Sequence, residues 1–134
     1  MATALRTLAV DQLEELRVLQ EEGQPDVLSE MVGLFIDEAE ARLLEATEAA
    51  RTGDVVVLHR SAHSLRGACG AVGAEQMCAL AAELEAAGQP HEASPIVQAL
   101  VAEFWRVREL LGPYQSIQVD EEHAGLPDSE RTGL

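Results

Sequence analysis

This chain predicts an all-α fold, an antiparallel four-helix bundle running up-down-up-down with an additional short N-terminal helix, and three observations carry that expectation. Apolar residues recur at spacings of three and four in five successive stretches, the period of a helix face and not of a strand. Aromatic residues make up only 3% of the 134 positions, so a core must be built mainly of Leu, Val and Ala, which suits close-packed helices better than a sheet. The turns between the stretches are short, and short turns force consecutive helices to lie antiparallel.

Asp11 opens the first stretch, in which Leu13, Leu16 and Leu19 are apolar, and the stretch ends near Gly23. This short helix is expected to act as a lid. Pro25 and Asp26 then supply helix-start chemistry, a fixed φ and a side-chain acceptor for free N–H groups. Leu28, Val32, Phe35, Ala39, Leu43, Ala46 and Ala50 follow at fours and threes until Gly53 stops the helix. Asp54 caps the third helix, whose buried stripe is Leu58, Ala62, Leu65, Cys69 and Val72. Gly73 or Ala74 separates it from a fourth, with Met77, Leu80, Ala81 and Leu84 on one face, and the turn Gly88, Gln89, Pro90 precedes a fifth holding Ile96, Leu100, Phe104, Val107 and Leu111. Beyond Pro113 the period stops and Gly, Pro, Ser and acidic residues take over. The bundle domain is therefore placed at 8–113, and 114–134 is read as a disordered acidic tail.

Charge narrows the function classes. The formal net charge is −15 and the chain contains no lysine, which argues against nucleic acid or an anionic membrane as partner, since both are bound through clustered Lys and Arg. No apolar run approaches the roughly 20 residues of a membrane span, and no basic segment precedes an apolar signal core, so a cytoplasmic protein is expected. Cys69 and Cys78 have neither a CxxC nor a metal-like spacing, and such a pair is expected to stay reduced in that compartment.

The informative segment is AHSLRGACGAVGA, residues 62 to 74. Interior glycines cost a helix roughly 1 kcal/mol each relative to Ala, yet here they gather near a histidine. With Leu58 at zero and about 100° per residue, Arg66 falls at about 80°, His59 at about 100°, Gly70 at about 120°, His63 at about 140° and Gly67 at about 180°. One side of the helix thus carries an exposed imidazole, a cation one turn later and bare backbone beside both. Bare backbone next to a nucleophile is room for a bulky tetrahedral group or for a partner's surface.

The string resembles the signature of histidine-containing phosphotransfer (HPt) domains: Ala-His-x-Leu-Lys/Arg-Gly, a small-residue stretch, Gly-Ala, then a helix with Leu and Leu-Glu. Ala62, His63, Leu65, Arg66, Gly67, Gly73, Ala74, Leu80, Leu84 and Glu85 match in order. The similarity extends to Leu34–Ala39 and to the turn Arg51–Asp54, covering roughly residues 10 to 112. Two departures stand out: the common Lys is Arg66, a planar fork in place of a compact charge, and the small polar pair after the glycine is Ala68 and Cys69. The resemblance implies a phosphorelay intermediate in which His63 accepts a phosphoryl group from a receiver-domain aspartate and passes it to another receiver. It implies Arg66 as the phosphoryl-stabilising cation and Gly67 as clearance. Response-regulator receivers and a hybrid histidine kinase are the implied partners, with no cofactor of the chain's own because Mg²⁺ would sit on the receiver's carboxylates. A monomer is expected, and not a self-phosphorylating enzyme, for want of a nucleotide loop.

Rival readings attach to the same residues. His59 and His63 are four apart, a spacing that can hold a metal, but no Glu follows His59 and the neighbouring cation opposes one, so no metal is assigned. His59 is either a solvated or packing residue or one that tunes His63; with Gly70 it is assigned to the partner-docking surface. Gly67, Gly70 and Gly73 without a preceding strand make no nucleotide fingerprint. An HPt-like bundle that docks on a receiver or kinase without being phosphorylated is the alternative function.

Overall fold

The computed structural model describes residues 4–20 and 26–115. Five helices follow one another: α1 (Val10–Leu19), α2 (Val27–Thr52), α3 (Val55–Val72), α4 (Glu75–Ala86) and α5 (Pro90–Leu111), closed by a 3₁₀ turn at Gly112–Tyr114. Among the described residues there is no strand, and the fold is all-α as the apolar period predicts.

The ends of α2 to α5 lie where the sequence places them, for identifiable reasons. Asp26 caps α2 by accepting from Ser29 N–H at 3.0 Å, and Asp54 caps α3 by accepting from Val57 N–H at 3.1 Å, each satisfying an otherwise orphan donor. Gly53 and Gly73 end α2 and α3 in the left-handed region, at φ 79° and 77°, which glycine enters without a Cβ penalty. At α5, Pro90 occupies the first turn and Glu92 Oε1 accepts from the N–H groups of Gln89 and Gly88 at 2.9 and 3.2 Å. Pro25, the other expected start signal, lies outside the described residues.

α2 packs against α3 and α5, α3 against α4, and α4 against α5, a square of antiparallel neighbours around one core. Phe104, Leu43, Leu65, Met77, Leu84 and Leu100 are among its fully buried large side chains. The α3 stripe Leu58, Ala62, Leu65, Cys69 and Val72 is buried in its entirety. Because α5 faces both α2 and α4, its buried face is wider than one stripe: Val97, Val101 and Trp105 are buried while Ile96 is only half-buried. Ala50 and Leu80, also expected inside, are half-buried.

Two expectations need correction. The sequence gives α1 an apolar face of Leu13, Leu16 and Leu19, but only Leu13 is buried and Leu19 is 76% exposed. The helix lies across the end of the bundle, tethered by backbone bonds at its start, Ala9 N–H to Gly73 O at 2.8 Å and Gln76 N–H to Arg6 O at 2.9 Å. Crossing an end instead of lying along a face, it seats a single leucine. The second is the domain boundary: Tyr114, assigned to the tail, is buried and its hydroxyl donates to Glu14 on α1, so the packed unit runs past 113. The rest of the expected tail, 116–134, lies outside the described residues.

Candidate functional site

His63 stands midway along α3 on the side turned to α4, with a side chain 77% exposed. Its Nδ1 lies 3.1 Å from Glu85 Oε2 near the C-terminal end of α4. The other oxygen of the same carboxylate, Oε1, accepts from Arg66 Nη1. The bond to Arg66, and after it the bond to His63, hold the Glu85 carboxyl below its ordinary range, so at neutral pH it is an acceptor only. Nδ1 must then carry the hydrogen. In the neutral ring this leaves Nε2 unprotonated, with its lone pair on the exposed side of the imidazole.

Around this trio the surface is open. His63, Arg66, Gly67, Cys78, Ala79 and Ala82 line a recess of about 500 Å³ between α3 and α4. A Cβ built on Gly67 or on Gly70 would meet no atom within 4 Å. Internal packing does not require either glycine; the space they leave is on the outside of the molecule. Farther round α3, Ala68 and Ala71 line a second, mainly apolar recess of about 500 Å³ with Val27, Met31, Leu34 and Phe35 of α2, rimmed by Glu30 and Glu38. Leu34 and Val27 are 70% and 62% exposed.

Each residue singled out from the sequence therefore has a definite place. His63, Arg66 and Gly67 share one recess and Gly70 lies one turn beyond. His59 does not join them: it is half-buried, and its Nε2 is 2.9 Å from the carbonyl oxygen of Ala87. A carbonyl only accepts, so Nε2 is the protonated nitrogen of His59, and the bond ties α3 to the last turn of α4. The two histidines, one turn apart in sequence, address different partners, and among the described residues no group of three or more His, Cys, Asp or Glu could hold a metal ion. Sequence reasoning missed the role of Glu85, noted only as part of a Leu-Glu pair. The available signal was register: His63 and Glu85 lie almost equally far from the Gly73–Ala74 corner, which sets them level on antiparallel helices.

The Hpt domain family model matches residues 30–112. Histidine-containing phosphotransfer protein 2 of Arabidopsis thaliana is 33% identical over 70 residues, covering 50% of this chain and 45% of that protein, so the chain matches a little under half the length of that relative. No solved structure matches.

Proposed function

This chain belongs to the Hpt domain family, and we propose that it works as a phosphorelay intermediate, taking a phosphoryl group on His63 from a receiver-domain aspartate and passing it to another receiver. The observation that carries this reading is the Glu85 carboxylate, which holds His63 Nδ1 with one oxygen and Arg66 with the other beside open backbone at Gly67.

The chemistry follows from that carboxylate. The Nε2 lone pair attacks phosphorus in line, the N–P bond forms and the P–O bond of the aspartyl phosphate breaks, releasing the receiver's carboxylate. No proton has to leave the ring, because Nε2 attacks unprotonated and Nδ1 keeps its hydrogen. The ring becomes cationic, and the Glu85 carboxylate 3.1 Å from Nδ1 stabilises that charge, as a buried Asp does for a catalytic imidazolium. A loose phosphoryl transition state needs its equatorial oxygens neutralised. Arg66, in the same recess, is the chain's cation for this, exchanging part of its pairing with Glu85 for the incoming oxygens, while Mg²⁺ belongs to the receiver. The reverse transfer uses the same groups.

The receiver docks over Gly67 and Gly70, its loop entering the recess around His63 and its body lying on the apolar surface of α2 and α3, with His59 at the opposite edge. A partner of that kind needs no nucleic-acid or membrane surface, and no helix among the described residues is long and apolar enough to cross a membrane. The site favours relay over a passive adaptor, since an adaptor has no use for an imidazole with one nitrogen held and the other bare. Incubation with a phosphorylated receiver tests the proposal: acid-labile, alkali-stable phosphate should appear on the chain as it leaves the receiver, and a chain that binds the receiver yet takes no phosphate would make it an adaptor.

A further inference from the structure

Cys69 and Cys78 stand one turn on either side of the α3–α4 corner, and Ala74 sets them level: its N–H donates to the Cys69 carbonyl at 3.0 Å and its carbonyl accepts from Cys78 N–H at 2.9 Å. Both are free thiols, set at the same level of two packed helices. Their surroundings differ. Cys69 is completely buried, whereas Cys78 is half-buried, lines the recess with His63, Arg66 and Gly67, and has its Sγ 3.5 Å from the Arg66 carbonyl oxygen. Interaction with the Cys69 thiol, with the Arg66 charge behind it, brings the Cys78 thiol down to about 7, while the same interaction and burial push Cys69 up. A reactive thiol reachable from one side, with a second thiol held behind it, is the pairing of an attacking and a resolving cysteine.

We propose that Cys78 is a peroxide-sensitive modification site which, with Cys69 as resolving partner, forms an internal disulfide that shuts down transfer at the adjoining His63 recess; the effect on transfer rests on the relay reading of His63. The Cys78 thiolate attacks one peroxide oxygen, the O–O bond breaks and sulfur is oxidised by two electrons to a sulfenic acid as hydroxide leaves. Cys69 then attacks that sulfur, its proton going to the departing hydroxide. In total two thiols and one hydrogen peroxide give one disulfide and two waters. Joining the sulfurs draws α3 and α4 together about one turn from Arg66 and Gly67, and a misplacement of about 1 Å at a reacting centre costs up to about 100-fold in rate.

The test treats the folded full-length chain with hydrogen peroxide, maps thiols by alkylation and peptide mass, and measures phosphoryl uptake from a receiver before oxidation, after it, and after dithiothreitol. The expected result is loss of two hydrogens, a Cys69–Cys78 bond within one chain, uptake slowed by about tenfold or more, and recovery on reduction. Cys69→Ala should keep its basal uptake and accumulate a dimedone-reactive sulfenic acid on Cys78 without the disulfide. Cys78→Ser, read by mass alone, should form neither product. Thiols that stay free under peroxide, bonds only between chains, or an internal bond that leaves uptake unchanged would each overturn the proposal. A reduced wild-type chain that takes no phosphate would instead sink the relay reading, and with it the effect on transfer, while the thiol map still decides the cysteine pairing.

Discussion

Gly67 is helical, exposed and without any atom within 4 Å of where a Cβ would stand, so its replacement separates folding from function. Gly67→Ala removes the glycine entropy penalty without a clash and should stabilise the chain by up to about 1 kcal/mol. For a domain of this size that is a rise of up to about 4 °C in Tm. Gly67→Leu should also keep the fold, but its side chain projects into the space one turn from His63 that, in the proposed relay, the phosphoryl group and the receiver loop enter. A misplacement of about 1 Å costs up to about 100-fold, and the leucine should slow transfer by at least roughly tenfold, with alanine between the two. Thermal melts followed by circular dichroism give the first quantity and rapid-quench labelling from a phosphorylated receiver the second. A Gly67→Leu chain that transfers at the wild-type rate, or a Gly67→Ala chain that melts lower, would refute the reading of this glycine as clearance.

Four further outcomes follow from named contacts. Glu85→Ala frees His63 to place its hydrogen on Nε2 and should slow uptake by roughly tenfold, less than a wrong tautomer costs in a buried site; Glu85→Gln, whose amide oxygen can still accept from Nδ1, should recover part of it. The Glu85 carboxyl, held below its ordinary range chiefly by Arg66, contributes stability that is present above its unfolded pKa and lost as pH falls through its lowered folded pKa; Arg66→Ala should shift its titration upward by NMR, and an unmoved titration would contradict the pairing. His59→Gln removes a bond to Ala87 worth about 0.5–1.5 kcal/mol, so Tm should fall by a few degrees while uptake changes little; abolished uptake would reassign the nucleophile. Gly73→Ala forces a side chain into φ 77° with its Cβ 2.7 Å from Ala9 Cβ and should destabilise by at least about 2 kcal/mol, read from denaturant unfolding, where an unchanged midpoint would be the contrary result.

The legible part of this fold is local. Asp26, Asp54, Gly53 and Gly73 mark helix ends through chemistry confined to a few neighbouring residues, and the α3 stripe follows from period alone. The exposure of His63 and the openness at Gly67 and Gly70 come from the same period, read on the other side of the cylinder. What escaped is what one helix contributes to its neighbour. Glu85 reaches His63, Ala87 reaches His59, Cys78 stands level with Cys69, and Ser61 donates to Glu45 at 3.0 Å, all across hairpins. These pairs nonetheless follow a common register: Ser61 and Glu45 lie eight residues either side of Gly53, and Cys69 and Cys78 lie four before Gly73 and four after Ala74. Once the corner residues are known, equal distances from a corner find the partners. α1 fails for a different reason, since an amphipathic period says that a face can be buried but not that a neighbour is there to bury it.

The central claim, that Nε2 of His63 accepts the phosphoryl group, is tested most directly by placing phosphorus on an atom. The full-length chain, labelled with ¹⁵N at histidine and phosphorylated from a receiver, would be observed by ¹⁵N–³¹P correlated NMR with the His63 ring assigned. The account expects one phosphohistidine, at His63, coupled through Nε2, with Nδ1 still protonated against Glu85. Phosphate on His59, His91 or His123, or on Nδ1 of His63, would contradict it.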